Sequence, residues 1–219
     1  MDAKIRALLP QDEAATRFWW IRHAPVPEIG NIMYGSLDMD SDCSDTALFN
    51  GVAAKLPKNA VWYVSPLVRT TQTAHALIKA GADAKADELI EDKRIKEMDF
   101  GDLNGITMEE LIKGRDDNYL GFFPTTPFTK TPNGESFDEL SVRVNSFIDD
   151  VHQQHAGKDV VCVAHRGTIL AALRHALHLP LETSVSFRIK NVSISRIWRY
   201  TDVAADGPQC SLGEVGWVP

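Results

Sequence analysis

Two histidines in this 219-residue chain follow apolar runs, and each has an arginine beside it. Arg22 directly precedes His23, and Arg166 directly follows His165. A third apolar run is followed, a few positions later, by Arg69. An imidazole can attack an electrophile or donate a hydrogen bond, and an arginine fork matches the oxygens of a phosphoryl group. If these side chains meet, their chemistry is that of a phosphate ester site.

The three apolar runs predict strands that would bring these residues together. They cover 17–23, 61–65 and 160–164, have few polar alternations, and are stopped by proline- or glycine-containing segments. Continuous apolar runs of this length are typical of central strands that are covered on both faces. Because ligand sites in open α/β sheets lie at the carboxyl ends of the strands, we expect both histidines and Arg69 on one rim.

Helical patterns alternate with the predicted strands. Helices are predicted over 66–79, 136–155 and 167–179, and Ser136 with Glu139 forms a capping-box pattern at the start of the second. Further strands are predicted over 186–190, 193–200 and 215–218, the last two joined around 206–208. This alternation predicts a three-layer α/β/α sandwich with a mostly parallel central sheet.

We predict one domain over 18–219, preceded by a loosely held arm at 1–17. The segment 114–134 is rich in Gly, Pro and Thr, yet it carries Tyr119, Phe122, Phe123 and Phe128. A long loop of this kind in a compact domain is usually a lid or a binding loop. We therefore expect a lid-like insertion that covers the site and selects the substrate.

Composition limits the partners. The net charge of −7 argues against a nucleic acid or an anionic membrane as the main partner, because both need an extended positive surface. The three cysteines are far apart, and no apolar run approaches the roughly 18 residues that span a bilayer. We expect a cytoplasmic protein in a reducing compartment, a monomer or a homodimer, with no membrane partner.

Five short motifs follow one another in a recognisable order. They are Arg22-His23, then Ser65-Pro66-Leu67-Val68-Arg69 continuing to Ala74, then Glu97-Met98-Asp99-Phe100-Gly101 continuing to Gly105, then Pro132-Asn133-Gly134-Glu135-Ser136, and Ala164-His165-Arg166-Gly167. In this order the chain resembles the histidine phosphatase superfamily, in its phosphoglycerate mutase-like branch. The resemblance covers about residues 18 to 200.

The resemblance implies a covalent mechanism that needs neither metal nor cofactor. His23 would attack phosphorus to form a phosphohistidine, and Glu97 would act as general acid and then general base. Arg22, Arg69 and His165 would hold the phosphoryl oxygens. The resemblance also implies a small phosphorylated metabolite as substrate.

Three further residues are expected to contact the substrate or its phosphate, namely Tyr34, Gly35 and Arg166. Glycine is common in the family at the position of Arg166, so this side chain either adds a substrate contact or points away. Ala24 follows His23 where the family most often has glycine. This departure favours a phosphatase similar to α-ribazole phosphatase-like members.

Two alternatives stay open. The first is a phosphoglycerate-type phosphomutase, and the second is a non-catalytic phosphate-ligand binding protein on the same fold.

Several other polar residues have simpler interpretations. Glu135 suits a helix start, where acidic groups are favourable, and Arg143 is expected to be a surface cation. The histidine pairs His152/His155 and His175/His178 are spaced three apart on predicted helices, where a solvated helix face is a simpler explanation than a metal site.

Overall fold

The central element of the fold is a six-stranded sheet, and the computed structural model describes residues 15–27, 31–113, 127–201 and 209–219. The strands are β1 (Thr16–Arg22), β2 (Val61–Val64), β3 (Ile90–Glu91), β4 (Asp159–Ala164), β5 (Ile194–Arg199) and β6 (Cys210–Leu212). Their order is β3-β2-β4-β1-β5-β6. The first four are parallel to one another, and β5 and β6 are antiparallel additions at one edge. The predicted mostly parallel sheet is confirmed.

Helices cover both faces of this sheet. They are α1 (Thr46–Lys55), α2 (Val68–Lys79), α3 (Met108–Lys113), α4 (Phe137–Gln154), α5 (Arg166–Leu177) and α6 (Leu181–Ser184), with 3₁₀ turns at Ala86–Glu88, Lys93–Ile95 and Gly101–Leu103. The predicted capping box is present, because Ser136 accepts from the Glu139 amide while the Glu139 carboxylate accepts from the Ser136 amide.

Alternate residues of β1 divide the interior into two hydrophobic cores. Phe18 and Trp20 point toward the core that contains the apolar side chains of α4 and α5, whereas Trp19 and Ile21 point toward the core formed with α1 and α2. Successive side chains of a strand face opposite sides of the sheet, so β1 needs apolar residues at every position. This arrangement is the predicted α/β/α sandwich.

The strand register brings the predicted site residues to one rim. Arg22 pairs with Ala164, and Val64 pairs with Val163, so His23, Ser65 and His165 all leave the sheet at the same edge. The antiparallel strand β5 begins opposite Ile21, so the segment that precedes β5 lies at this rim as well. Four separate parts of the chain therefore meet where β1, β2 and β4 end.

Two of the strand predictions were wrong. The segment 186–190 is irregular, and carbonyl groups of 185–189 accept hydrogen bonds from arginine side chains instead of a neighbouring strand. Within 215–218, Trp217 forms an isolated bridge with Ile194, and the strand that pairs with β5 is Cys210–Leu212. The predicted joining turn at 206–208 lies outside the described residues.

The N-terminal boundary also differs from the prediction. Strand β1 begins at Thr16, inside the predicted arm, and Ala15 and Thr16 are fully buried. Residues 1–14 of the arm and 114–126 of the predicted insertion lie outside the described residues. Of the insertion, 127–134 are described, and they form a loop in which Phe128 is exposed and Thr131 is buried.

Helix α1 was not predicted. Its Asp45 side chain accepts from the Leu48 amide at the N-terminus, and Phe49, Val52 and Ala53 are buried against the sheet.

Among the helices that the structure describes, none has the length and the apolar character of a bilayer-spanning segment.

Candidate active site

His23 lies at the end of β1 in a state suited to nucleophilic attack. Its side chain is 1% exposed, and Nδ1 is 2.7 Å from the Ala24 carbonyl oxygen, which can only accept. Nδ1 therefore carries the proton, and in the neutral ring the lone pair is on Nε2. Burial lowers the pKa of His23 well below its usual value, and the charges of Arg69 and Arg22 lower it further.

His165 faces His23, with ring centroids 5.2 Å apart. Its Nδ1 accepts from Nε of Arg69 at 3.2 Å, and its Nε2 is 2.7 Å from the Ser65 hydroxyl oxygen. Burial, followed by the charge of Arg69, lowers the pKa of His165 well below its usual value, so the ring is neutral and Nε2–H donates to Ser65. His165 was predicted to hold a phosphoryl oxygen, and to donate a hydrogen bond to that oxygen it must exchange one of these two partners when a ligand binds.

Arg69 is a fully buried cation on the first turn of α2. Besides His165, its guanidinium donates to the carbonyl oxygens of Leu37 at 2.7 Å and Gly35 at 2.6 Å. Its central carbon lies 5.2 Å from the ring centroid of Tyr34, a cation–π distance. Tyr34 and Gly35, which were predicted as substrate contacts, thus also hold Arg69.

Gly35 is required for close packing at this point. Its φ is +34°, and a Cβ added there would lie 2.4 Å from Phe100 and 2.5 Å from Asn104. Glycine alone lets the backbone approach this near, which brings the Gly35 carbonyl to Arg69.

Two further arginines are held at the rim by the irregular segment before β5. Arg22 Nη1 donates to the Ile189 carbonyl at 2.7 Å, and Arg166 Nη2 donates to the Val185 carbonyl at 3.1 Å. Within the described part of the chain, Arg22 Nε is buried and has no hydrogen-bond partner. Burial lowers the pKa of Arg166 to about 10, which leaves it charged at neutral pH.

Glu97 lies where α5 begins. One carboxylate oxygen accepts from the Met98 amide at 2.9 Å and the other from the Gly167 amide at 3.3 Å. A Cβ at position 167 would lie 2.4 Å from Glu97 Oε1, so the absence of a side chain there lets the carboxylate approach the start of the helix. Glu97 thus reaches the rim from a different loop than the histidines.

A cavity of about 250 Å³ opens beside these groups. Its charged lining residues are Arg22, Glu97 and Arg166, and Ile32, Met33, Phe100 and Met108 form apolar walls. His23 and His165 are buried and are not among the residues that line this cavity. The cavity therefore combines charged and apolar lining residues, which suits a small ester of an anionic group.

A larger cavity of about 510 Å³ lies at the opposite end of β2, around Val61 and Trp62. Its described polar lining includes Asp83, Lys85 and Glu88, and the histidines and arginines of the rim do not line it. The volume of a cavity alone therefore does not identify the candidate active site.

Sequence reasoning missed the roles of Arg143 and Glu135. Arg143 is not a surface cation, because its guanidinium contacts Glu135 and the carbonyl groups of Arg94, Lys96 and Glu97. The one local sign in the sequence was its position beside Val144, which belongs to the apolar stripe of α4.

Three of these four histidines differ from their prediction as solvated faces, whereas His178 is exposed as predicted. His152 Nδ1 lies 2.8 Å from the Thr16 hydroxyl, His155 Nε2 lies 3.1 Å from the Tyr63 hydroxyl, and His175 lies 3.6 Å from Asp149. Over the residues described, no group of three His, Cys, Asp or Glu side chains is placed to hold a metal ion.

The chain belongs to the histidine phosphatase superfamily (branch 1), whose family model matches residues 19–206. Phosphoserine phosphatase 1 of Hydrogenobacter thermophilus is 31% identical over 157 residues, which are 70% of this chain and 72% of that protein. A probable phosphoglycerate mutase, GpmB, of an Enterobacter species is 32% identical over 133 residues, 61% of this chain and 60% of that protein. The family match and the phosphatase relative show that this chain is a phosphoric monoester hydrolase.

Solved structures share the fold. A mycobacterial glucosyl-3-phosphoglycerate phosphatase has a TM-score of 0.75 at 21% identity, covering 90% of this chain and 97% of that one. The α-ribazole phosphatase of Shigella flexneri has a TM-score of 0.72 at 20% identity, covering 92% and 96%. These likenesses show the histidine phosphatase fold.

Proposed function

We propose that the protein hydrolyses a small phosphomonoester through a phosphohistidine intermediate on His23. The observation that carries the proposal is the neutral, buried His23, with its proton held on Nδ1 by the Ala24 carbonyl. Nε2 is then the nucleophilic atom, and the rigid Nδ1 hydrogen bond orients it. No metal or cofactor is needed for the step.

The reaction has two steps. In the first, Nε2 of His23 bonds to phosphorus, the bond from phosphorus to the ester oxygen breaks, and Glu97 gives its proton to the leaving alkoxide. In the second, water attacks phosphorus, the bond between phosphorus and nitrogen breaks, and the Glu97 carboxylate takes the proton of the water. Inorganic phosphate leaves, and His23 and Glu97 return to their starting states.

The arginines supply the charge that the transferring phosphoryl group needs. Arg69 and Arg22 lie beside the two imidazole rings, and their charges act on both. Preorganised guanidinium groups in a buried site stabilise the charge of the transition state without reorganisation. A bound phosphoryl group favours protonation of His165, and its Nδ1 would then give up the hydrogen bond from Arg69 Nε and donate to a phosphoryl oxygen.

Arg166 supports a substrate whose leaving group carries its own anion. The guanidinium lines the cavity together with apolar residues such as Ile32 and Phe100. An arginine fork binds a carboxylate in bidentate fashion. Phosphoserine and phosphoglycerate esters, which appear in the names of the relatives above, have this chemistry.

The test measures phosphate release from phosphoserine, 3-phosphoglycerate and an aryl phosphate, with a chelator present. We expect hydrolysis of a carboxylate-bearing ester, abolished in His23→Asn. Absence of phosphate release from every ester, or full activity of His23→Asn, would contradict the proposal.

A phosphoglycerate-type phosphomutase is the second candidate. It is favoured by the burial of His23, because a mutase phosphoenzyme must survive while the substrate reorients. Product analysis with 3-phosphoglycerate separates the two functions: inorganic phosphate supports the hydrolase, and an isomeric phosphoglycerate supports the mutase. Tight binding of the esters without any turnover would instead support a non-catalytic phosphate-ligand protein.

A further inference from the structure

Arg143 of α4 holds the backbone of the segment that carries Glu97. Its Nη1 atom donates to the carbonyl oxygens of Arg94 and Lys96, each at 2.7 Å, and Nη2 donates to the Glu97 carbonyl at 3.2 Å. One planar guanidinium thus contacts the chain at and before the residue whose side chain reaches the site. The segment itself is a short 3₁₀ turn followed by irregular chain, with no strand pairing to fix residues 96–100.

Glu135, just before α4, orients Arg143 and also contacts the backbone of Asp99, two residues after Glu97. Its carboxylate accepts from Nε of Arg143 at 3.0 Å and from Nη2 at 2.6 Å, a bidentate pair. The same carboxylate accepts from the Asp99 amide at 2.9 Å, and the Glu135 amide donates to the Asp99 carbonyl at 2.8 Å. The Arg143 and Glu135 side chains are 23% and 17% exposed, so solvent competes only in part.

We propose that Arg143 and Glu135 are positioning residues that set the location of the Glu97 carboxylate relative to the leaving oxygen. The inference rests on the proposed function, in which Glu97 is the general acid. The Glu97 carboxylate accepts from the Met98 amide of its own segment, so a backbone shift at 97–99 moves the carboxylate with it. Proton transfer depends on hydrogen-bond reach, and a displacement of about 1 Å is costly.

The arginine is specific for this task. Its fork reaches a carboxylate and several carbonyl groups at once in one plane, whereas a lysine ammonium has three donors at one point. Arg143→Lys should therefore keep the charge but lose the simultaneous contacts. Glu135→Gln keeps the size of the side chain and removes the charge that orients Arg143.

The readout that separates positioning from general stability is leaving-group dependence. An aryl phosphate releases a stable phenolate and gains little from a general acid, whereas an alkyl phosphate needs its oxygen protonated. The constant kcat/KM reports the first irreversible step, formation of the phosphoenzyme. We expect Arg143→Lys and Glu135→Gln to lower kcat/KM about 10- to 100-fold for an alkyl phosphate. We expect the value for the aryl phosphate to change less than about 3-fold.

Arg94→Gln is the matched control. Arg94 also joins this segment to α4, through an ion pair with Asp150, and it pairs with Asp92 of its own segment. Its side chain is 31% exposed, and within the described residues its ion pairs do not include Glu97 or Glu135. We expect Arg94→Gln to leave the ratio of alkyl to aryl kcat/KM unchanged. A parallel Glu97→Gln variant tests the proposed function, since it should lower the same ratio at least as far.

The outcomes are distinguishable. Equal losses on both esters, no loss on either, or the same ratio change in Arg94→Gln would overturn the positioning role. If Glu97→Gln itself leaves the ratio unchanged, the assignment of Glu97 as general acid fails. Recovery of the alkyl rate by Glu135→Asp relative to Glu135→Gln would support the role of the bidentate pair.

Discussion

The imidazole rings of His23 and His165 stand 5.2 Å apart, at the carboxyl ends of two adjacent parallel strands. Both rings are buried, and their hydrogen-bond partners determine which nitrogen carries the proton. The partner is the Ala24 carbonyl for His23, and the partners are Arg69 and Ser65 for His165. Two neutral imidazoles beside a buried guanidinium form a preorganised site whose positive charge comes from the guanidinium. The following predictions rest on that state.

The titration of His23 is the first prediction. Burial, followed by the charges of Arg69 and Arg22, lowers its pKa well below the usual value of 6.5. We expect the His23 ring signal in the free protein to stay that of neutral imidazole as the pH falls through 6.5. Proton NMR measures this, and His23→Asn assigns the signal. A midpoint at or above 6.5 would refute it.

Stability should depend on pH through the same groups. In the unfolded chain a histidine binds a proton near pH 6.5, whereas the folded state holds His23 and His165 neutral to lower pH. The unfolded state therefore binds more protons below 6.5, and the free energy of unfolding falls as the pH falls. The slope is up to about 1.4 kcal/mol per pH unit for each such histidine.

Denaturant unfolding at pH 7.5 and at pH 5.5 checks this expectation. His23→Asn should show a smaller loss of stability between the two pH values than the parent. An equal or larger loss in the variant would show that His23 does not carry this share.

Gly167→Ala should separate stability from activity. The added Cβ would lie 2.4 Å from Glu97 Oε1 and 3.1 Å from Leu140. In a helix, alanine is favoured over glycine by roughly 1 kcal/mol, so the melting temperature should fall little. The displaced Glu97 should lower kcat/KM for an alkyl phosphate about 10-fold or more, since general acid catalysis contributes at least that much.

A double-mutant cycle with Glu97→Gln identifies the route of this loss. If the alanine acts through Glu97, the double variant should be no slower than Glu97→Gln alone. Additive losses would mean that Gly167 matters for another reason.

Arg166 should determine the preference for a carboxylate on the leaving group. Phosphoserine and phosphoethanolamine differ in that carboxylate, so they form a matched pair of substrates. Arg166→Met should lower kcat/KM for phosphoserine about 10- to 100-fold, the effect of losing a hydrogen bond between charged groups. The value for phosphoethanolamine should stay within about 3-fold.

The exposed Arg188 provides the control for this substitution, because it lies on the same irregular segment that holds Arg166. Arg188→Met should leave both substrates unaffected. A similar loss on both substrates in Arg166→Met would point to phosphate binding or folding as its role instead.

The sequence predicted the parts of this architecture that depend on local pattern. Apolar runs with known stop signals predicted the central strands, and the carboxyl-end rule then predicted that His23, His165 and Arg69 would lie together. The capping box at Ser136 marked the start of α4 correctly, because it needs two residues at a fixed spacing.

What the sequence missed depends on contacts between distant segments. The position of Arg143 beside Val144 does not show that it binds three carbonyl groups, because these groups belong to a segment distant in the sequence. The segment 186–190 alternates like a strand, but its neighbours on the rim are the side chains of Arg22 and Arg166. Tertiary contacts overrode the local preference there.

The most direct test of the account is to trap the phosphoenzyme. The parent and His23→Asn are each mixed with a phosphate ester that the parent hydrolyses, quenched in denaturant, and digested for mass analysis. The account predicts a phosphoryl group on the peptide that contains His23, labile in acid and stable in base, and absent from the variant. A phosphoryl group on another residue, or normal turnover by His23→Asn, would contradict it.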